Sequence, residues 1–168
     1  MTARTAPLVF IVDDDASVRK SLARLVRAAG FDVETFASAR DFLARPRYDG
    51  PSCLVLDVRM PGLTGLDLQE ALATARQHLP IVFITGHPDV WAQVKAMRGG
   101  AIDFLGKPVN DQDLLDAIER AVTKTGRAQH DEARITDIRN RIKAVTPSEA
   151  GRGMGPIDPI PRPSSQRQ

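Results

Sequence analysis

The sequence predicts an α/β fold, a doubly wound five-stranded parallel sheet with helices on both faces, and three observations carry that expectation. Apolar runs of strand length alternate five times with longer segments of helical period. The runs Val9 to Val12, Leu54 to Leu56 and Ile81 to Ile84 are continuously apolar, as strands covered on both sides must be. Asp13, Asp14, Asp57, Thr85 and Lys107 all fall just after apolar runs. Parallel strands need right-handed crossovers, which place helices on both faces. Ligands of such sheets bind beyond the carboxyl ends of the strands.

The first run, Leu8 to Val12, ends at an acidic triplet, Asp13 to Asp15. Ala16 to Ala29 follows with Val18, Leu22, Leu25, Val26 and Ala29 on one stripe, an amphipathic helix stopped by Gly30. Phe31 to Phe36 alternates weakly as a second strand, and Ser38 caps a short helix expected to turn Phe42 and Leu43 inward. Pro46 to Pro51 is a loop, Cys53 to Leu56 a buried strand, and Met60-Pro-Gly62 a turn. Leu66 to Arg76 is a third helix and Ile81 to Ile84 a fourth strand. Asp89 to Met97 is a helix ended by Gly99 and Gly100, and Ala101 to Leu105 a fifth strand. A last helix of this domain, capped by Asn110 or Asp111, runs to about Lys124 with Leu114, Leu115, Ile118 and Val122 on one face.

The chain has 168 residues, enough for one ordinary domain and an appendage, and its 42% hydrophobic content suits a soluble core. The longest apolar runs are far shorter than a bilayer span, and the first residues lack the apolar stretch of a secretory signal, so a cytoplasmic protein is expected. The one cysteine, Cys53, excludes an internal disulfide and reads as a small buried hydrophobe rather than a reactive thiol. A net charge of +2, from nearly matched acids and bases, gives little reason to expect a nucleic-acid partner.

The strand-end residues suggest a chemistry. Adjacent carboxylates at Asp13 and Asp14, facing Asp57 across a cleft, repel one another unless a proton or cation intervenes. Mg²⁺ suits the oxygen donors, since it keeps several waters while binding a few carboxylates and phosphate oxygens. Asp15, by contrast, is the expected cap of the helix that begins at Ala16. Asp57, fixed between a buried strand and a turn, could serve as a phosphoryl acceptor, because carboxylates form acyl phosphates. Such transfer needs charge neutralisation and positioning above all. Lys107 can supply a fixed ammonium, and Thr85 a hydroxyl for a phosphoryl oxygen.

Four segments, Val12-Asp-Asp-Asp15, Leu56-Asp-Val-Arg-Met-Pro-Gly62, Ile84-Thr-Gly-His87 and Phe104-Leu-Gly-Lys-Pro108, resemble in order and spacing the response-regulator receiver domains of bacterial two-component systems. Val18-Arg-Lys-Ser-Leu22 and Thr85-Gly-His-Pro-Asp-Val90 are similar to the FixJ-like (NarL/FixJ-type) subgroup. The resemblance covers about residues 7–125. It implies the flavodoxin-like, CheY-like strand order 2-1-3-4-5. It also implies that Asp13, Asp14, Asp57 and the backbone carbonyl of Arg59 hold Mg²⁺, and that Asp57 accepts phosphate from a sensor histidine kinase. Lys107 and Thr85 would engage the phosphoryl group. Phe104 would be the switch aromatic, although core packing explains it equally well, and Pro108 would follow a cis peptide bond. Gly106 and Trp91 depart from the pattern: the first stands where relatives carry a larger residue, the second where they often carry proline.

Residues 126–146 read as a linker helix, with Ile135, Ile138, Ile142 and Val145 spaced by three, four and three residues. That seam suits pairing with another helix or packing on the receiver. Residues 147–168 read as a disordered tail, since prolines at 156, 159, 161 and 163 forbid a continuous helix and the composition builds no core. The helix-turn-helix output domain of FixJ-like proteins is therefore expected to be truncated, and specific DNA binding is not expected. Output is expected through protein contact, homodimerisation by the fourth helix–fifth strand–fifth helix face or the linker helix, or competition for kinase phosphate. No enzyme activity is expected beyond self-phosphorylation and autodephosphorylation. The rival readings are a DNA-binding transcriptional regulator of FixJ type, a phosphate-independent pseudo-receiver, and a metal-dependent phosphohydrolase. The last would need a general acid and a cap that the sequence does not clearly offer.

Overall fold

Five parallel strands, β1 (Leu8–Val12), β2 (Asp32–Phe36), β3 (Ser52–Asp57), β4 (Ile81–Thr85) and β5 (Asp103–Gly106), form one sheet of order β2-β1-β3-β4-β5. The computed structural model describes residues 6–126. Between the strands run α1 (Ala16–Ala28), α2 (Ala39–Leu43), α3 (Gly65–Thr74) and α4 (Val90–Arg98), and residues 111–126 form α5. The expected linker helix beyond residue 126 and the expected tail lie outside the described residues. Among the described residues, no helix is long and apolar enough to cross a membrane.

The period-two alternation of β1 builds the two layers. Leu8, Phe10 and Val12 turn to one face, where they meet Phe42 of α2, Leu68 and Leu72 of α3, and Ala92 and Ala96 of α4. Val9 and Ile11 turn to the other, against Leu22, Ala23 and Val26 of α1 and Leu114, Ala117, Ile118 and Ala121 of α5. Every residue of β1, β3 and β4 is buried, as their unbroken apolar runs require. The edge strand β2 is only half-buried, which is why its sequence alternates weakly.

Local chemistry sets the helix ends. Asp15 caps α1 by accepting the amides of Ser17 at 2.8 Å and Val18 at 3.2 Å, and Ser38 caps α2 through Asp41. Thr64 and Asp67 form a reciprocal capping box on α3. Asn110, rather than Asp111, caps α5 by accepting the Asp113 amide at 3.0 Å. Gly100, at φ +99°, closes α4 in a left-handed conformation that few other residues adopt cheaply.

Two packing expectations need correction. Phe42 is fully buried, in edge contact with Phe10 at 5.3 Å, but Leu43 is 39% exposed. A helix this short on a sheet has one inward position per turn, and Phe42 takes it. On α5, the buried face uses Ala117 and Ala121 beside Leu114 and Ile118, while Leu115 and Val122 are only half-buried.

Candidate functional site

The carboxyl ends of β1, β3, β4 and β5 converge at one edge of the sheet. The acidic triplet that follows β1 divides its labour. Asp15 is committed to the helix cap, Asp14 is exposed, and Asp13 is fully buried. Asp13 is held from several directions: Oδ1 accepts the Asp15 amide at 2.9 Å, Oδ2 accepts Lys107 Nζ at 2.9 Å, and its carbonyl accepts Arg19 Nη1 at 2.7 Å.

Asp57 ends β3, and its carboxylate meets two donors. Oδ1 accepts the Arg59 amide at 3.3 Å, and Lys107 Nζ lies 3.5 Å from Oδ2. The chain beyond Asp57 is fixed by the Val58 amide on the Ile84 carbonyl at 3.0 Å and the Gly65 amide on the Val58 carbonyl at 2.9 Å. Gly65 rests directly against the Asp57 carbonyl, where a Cβ would collide with backbone. Lys107, 94 residues from Asp13, reaches the cleft because its own amide donates to the Thr85 carbonyl at 2.7 Å. The Lys107–Pro108 bond is cis.

Oxygens of Asp13, Asp14 and Asp57 all lie within 4.8 Å of one another. Three carboxylates so close, with one lysine between two of them, leave an excess of negative charge. Burial, then repulsion from Asp13, pushes the Asp57 carboxyl up to about 6, against the opposing pull of Lys107 and the Arg59 amide. For Lys107 burial acts downward, but the hydrogen bond and charge of Asp13, with Asp57 behind it, outweigh burial and raise the ammonium. The donor set is all hard oxygen and carries surplus negative charge, so it fits a small divalent cation that retains waters.

The remaining candidates stand as follows. The Thr85 hydroxyl is buried and engaged with its own turn, accepting the His87 amide at 3.0 Å and donating to the His87 carbonyl at 3.3 Å. Phe104 is half-buried, its ring 6.1 Å from that of Phe83. Arg59 contributes its amide to Asp57, a donor the sequence did not single out. The sequence gives Arg19 no role beyond its place in Val18-Arg-Lys-Ser-Leu22, and it does not mark Gly65. Glycine opening a helix just after a strand-end aspartate was the available signal for the second. Cys53 is fully buried, as expected.

Residues 9–119 match the response regulator receiver domain family. The chain is 46% identical over 147 residues to nodulation protein W of Bradyrhizobium diazoefficiens, covering 88% of this chain and 65% of that protein. It therefore spans slightly less than two thirds of that relative's length. It is 40% identical over 141 residues to the transcriptional regulatory protein FixJ of the same species, covering 84% of this chain and 69% of FixJ. Among solved structures, the response regulator StyR superposes with a TM-score of 0.81 at 44% identity, covering 87% of this chain and 74% of StyR. The strand order, the acidic strand ends and a family match running from β1 into α5 agree, and the chain belongs to the response regulator receiver domains of two-component systems.

Proposed function

We propose that Asp57 accepts a phosphoryl group from the phosphohistidine of a partner sensor histidine kinase. The observation carrying this reading is the Asp57 carboxylate at the sheet edge, with Lys107 Nζ 3.5 Å away and the Asp13 and Asp14 oxygens in the same cluster. An Asp57 oxygen attacks phosphorus as the phosphorus–nitrogen bond of the donor imidazole breaks. The electron pair returns to the ring nitrogen, which takes up a proton from solvent. Lys107 offsets charge on the phosphoryl oxygens, and the Arg59 amide keeps the carboxylate oriented. Asp13, Asp14, Asp57 and the Arg59 carbonyl would hold Mg²⁺, which when bound supplies charge neutralisation for the incoming phosphate.

A groove of about 560 Å³ between α1 and Lys107, Pro108 and Val109 gives a donor protein a seat beside the acceptor. After transfer, the Thr85 hydroxyl leaves its His87 partners for a phosphoryl oxygen, and Phe104 repacks. The β4–α4 region then shifts between two populations. The unit proposed to do this is the receiver of residues 7–125, followed by a linker helix (126–146) and a tail (147–168). Its output is a protein contact or a homodimer through the α4–β5–α5 face or the linker helix. It acts in the cytoplasm and turns over nothing beyond its own acyl phosphate, which water hydrolyses.

Incubation with a small phosphodonor and Mg²⁺, followed by intact mass measurement, tests this. One phosphate adduct is expected on the wild type and none on Asp57→Ala. An adduct that persists in the variant, or none on the wild type, refutes the assignment. The second reading, a transcriptional regulator, rests on the name of the FixJ relative. Equal affinity for promoter and random DNA would count against it.

A further inference from the structure

The helix α1 carries Arg19, Lys20, Arg24 and Arg27 in thirteen residues and no acidic side chain. All four line a groove of about 460 Å³ that α1 forms with Thr35 of the edge strand β2, and none of its lining residues is acidic. Lys20, Arg24, Arg27 and Thr35 are exposed, while half-buried Arg19 is anchored by its bond to the Asp13 carbonyl. Spacing by four and three residues sets Lys20, Arg24 and Arg27 on one face of the helix, over a rise of about 10 Å.

We propose that this α1–β2 groove docks an acidic helix of a partner protein, one presenting carboxylates at i, i+4 and i+7. Such a helix repeats the charge spacing of α1, because both share the same rise per residue. The two guanidinium forks of Arg24 and Arg27 pair naturally with carboxylates. A nucleic-acid strand offers anions too, but its backbone extends further than the groove. Continued past the N-terminal end of α1 it would meet Asp13, Asp14 and Asp15. A short acidic helix can stop before that barrier, and this favours protein. The groove contains none of the cleft residues Asp13, Asp14, Asp57, Thr85 and Lys107, so the inference stands apart from phosphate acceptance at Asp57.

The test is an amide chemical-shift titration of the full chain with an alanine-based helical peptide bearing glutamates at i, i+4 and i+7. A second peptide, with the same glutamates scattered around the helix, and a single-stranded oligonucleotide serve as comparisons. Shifts confined to residues 16–28 and around Thr35 are expected, weakening about fivefold between about 50 mM and about 300 mM salt. The scattered peptide and the oligonucleotide should bind at least about fivefold more weakly, a difference set by geometry since charge is matched in the peptides. The variant Lys20→Glu/Arg27→Glu, at two positions that line this groove and not the one beside Lys107, should lose most of the response while keeping its thermal midpoint and its phosphate adduct. No shifts, shifts elsewhere, equal binding of the scattered peptide, or equal binding of the oligonucleotide would each overturn the proposal.

Discussion

Lys107 Nζ lies 2.9 Å from Asp13 Oδ2 and 3.5 Å from Asp57 Oδ2, so its shorter contact goes to the fully buried carboxylate and the proposed acceptor has the longer, weaker one. Asp13 is fully buried, and the ammonium is its shortest charged contact. The order of distances follows from burial.

Replacing the ammonium should therefore cost stability. Lys107→Met keeps the side-chain length but strands Asp13 beside Asp14 and Asp57. Removing one partner of a buried pair costs about 3–5 kcal/mol, and because the lysine is 22% exposed a loss of about 2–3 kcal/mol is expected here. Denaturant unfolding without divalent ions measures it, and added Mg²⁺ should restore part of the loss. A variant within about 0.5 kcal/mol of wild type would show that Asp13 does not depend on this lysine.

The pH dependence of stability should carry a mark of Asp57. Its carboxyl is raised from 3.8 to about 6, so between these values the folded chain holds a proton that the unfolded chain releases. The contribution of this group to stability is best at low pH and declines as pH rises through that window. Asp57→Asn removes the charge. Without divalent ions the variant should be the more stable by about 1–2 kcal/mol at about pH 7.5, water in the cleft reducing the full effect of the shift. The gap should close near pH 4 and shrink when Mg²⁺ is added. A wild type as stable as the variant at neutral pH would falsify the account of a repelled carboxylate.

How far the site could be read in advance follows from what each residue depends on. Asp13, Asp14, Asp57, Thr85 and Lys107 can be assigned to one edge of the sheet from sequence because each falls just after an apolar run, and parallel topology brings such ends together. Asp15 was legible as a cap because capping is local. The preference of Lys107 for Asp13 over Asp57 was not, because it turns on relative burial across 94 residues of sequence. Nor was Gly65, whose requirement comes from the approach of another segment's carbonyl.

Packing details failed for the same reason. Leu43 looks as apolar as Phe42, and only the position of the sheet decides which one is buried. Arg45 was unremarked, yet its guanidinium lies 3.9 Å from the Phe42 ring centre and 4.8 Å from that of Phe10, closing the aromatic cluster with a cation. Partial burial lowers its basicity, but nothing in the surrounding sequence announces a half-buried arginine.

Cys53 should be chemically silent in the folded chain. It is fully buried in β3, and burial pushes its thiol far above the ordinary range, so the reactive thiolate is suppressed. Alkylation should proceed only through unfolding, at a rate that tracks stability across denaturant concentrations. Stoichiometric labelling of the native chain within minutes would contradict that burial.

The outer face of α4 should matter to assembly. Val90, Trp91, Val94 and Met97 are 76%, 65%, 44% and 42% exposed, an apolar concentration on one nine-residue helix. If phosphorylated chains pair through α4, β5 and α5, Val94→Glu should weaken dimerisation by at least about tenfold, since it buries a charge in the interface. The phosphate adduct should form normally. Light scattering on phosphorylated samples decides it, and an unchanged dimer would move the contact elsewhere.

Gly65→Ala should disturb Asp57 without touching its side chain. A Cβ at position 65 meets the Asp57 carbonyl and the Val58 backbone, and none of these atoms is the flexible end of a side chain. Relief requires that the start of α3 move away from the end of β3, which strains the Gly65 amide bond to the Val58 carbonyl. Overpacking of this kind costs about 1–3 kcal/mol. The same movement shifts the Arg59 amide from Asp57, so phosphorylation should slow along with the loss of stability. Gly62→Ala is the useful comparison, because its methyl finds open space and its strain comes only from a φ of +78°. Gly62→Ala should lower stability while leaving the rate of adduct formation nearly intact. A Gly65→Ala variant that melts with wild type and phosphorylates at the same rate would mean that this close approach does not position the acceptor.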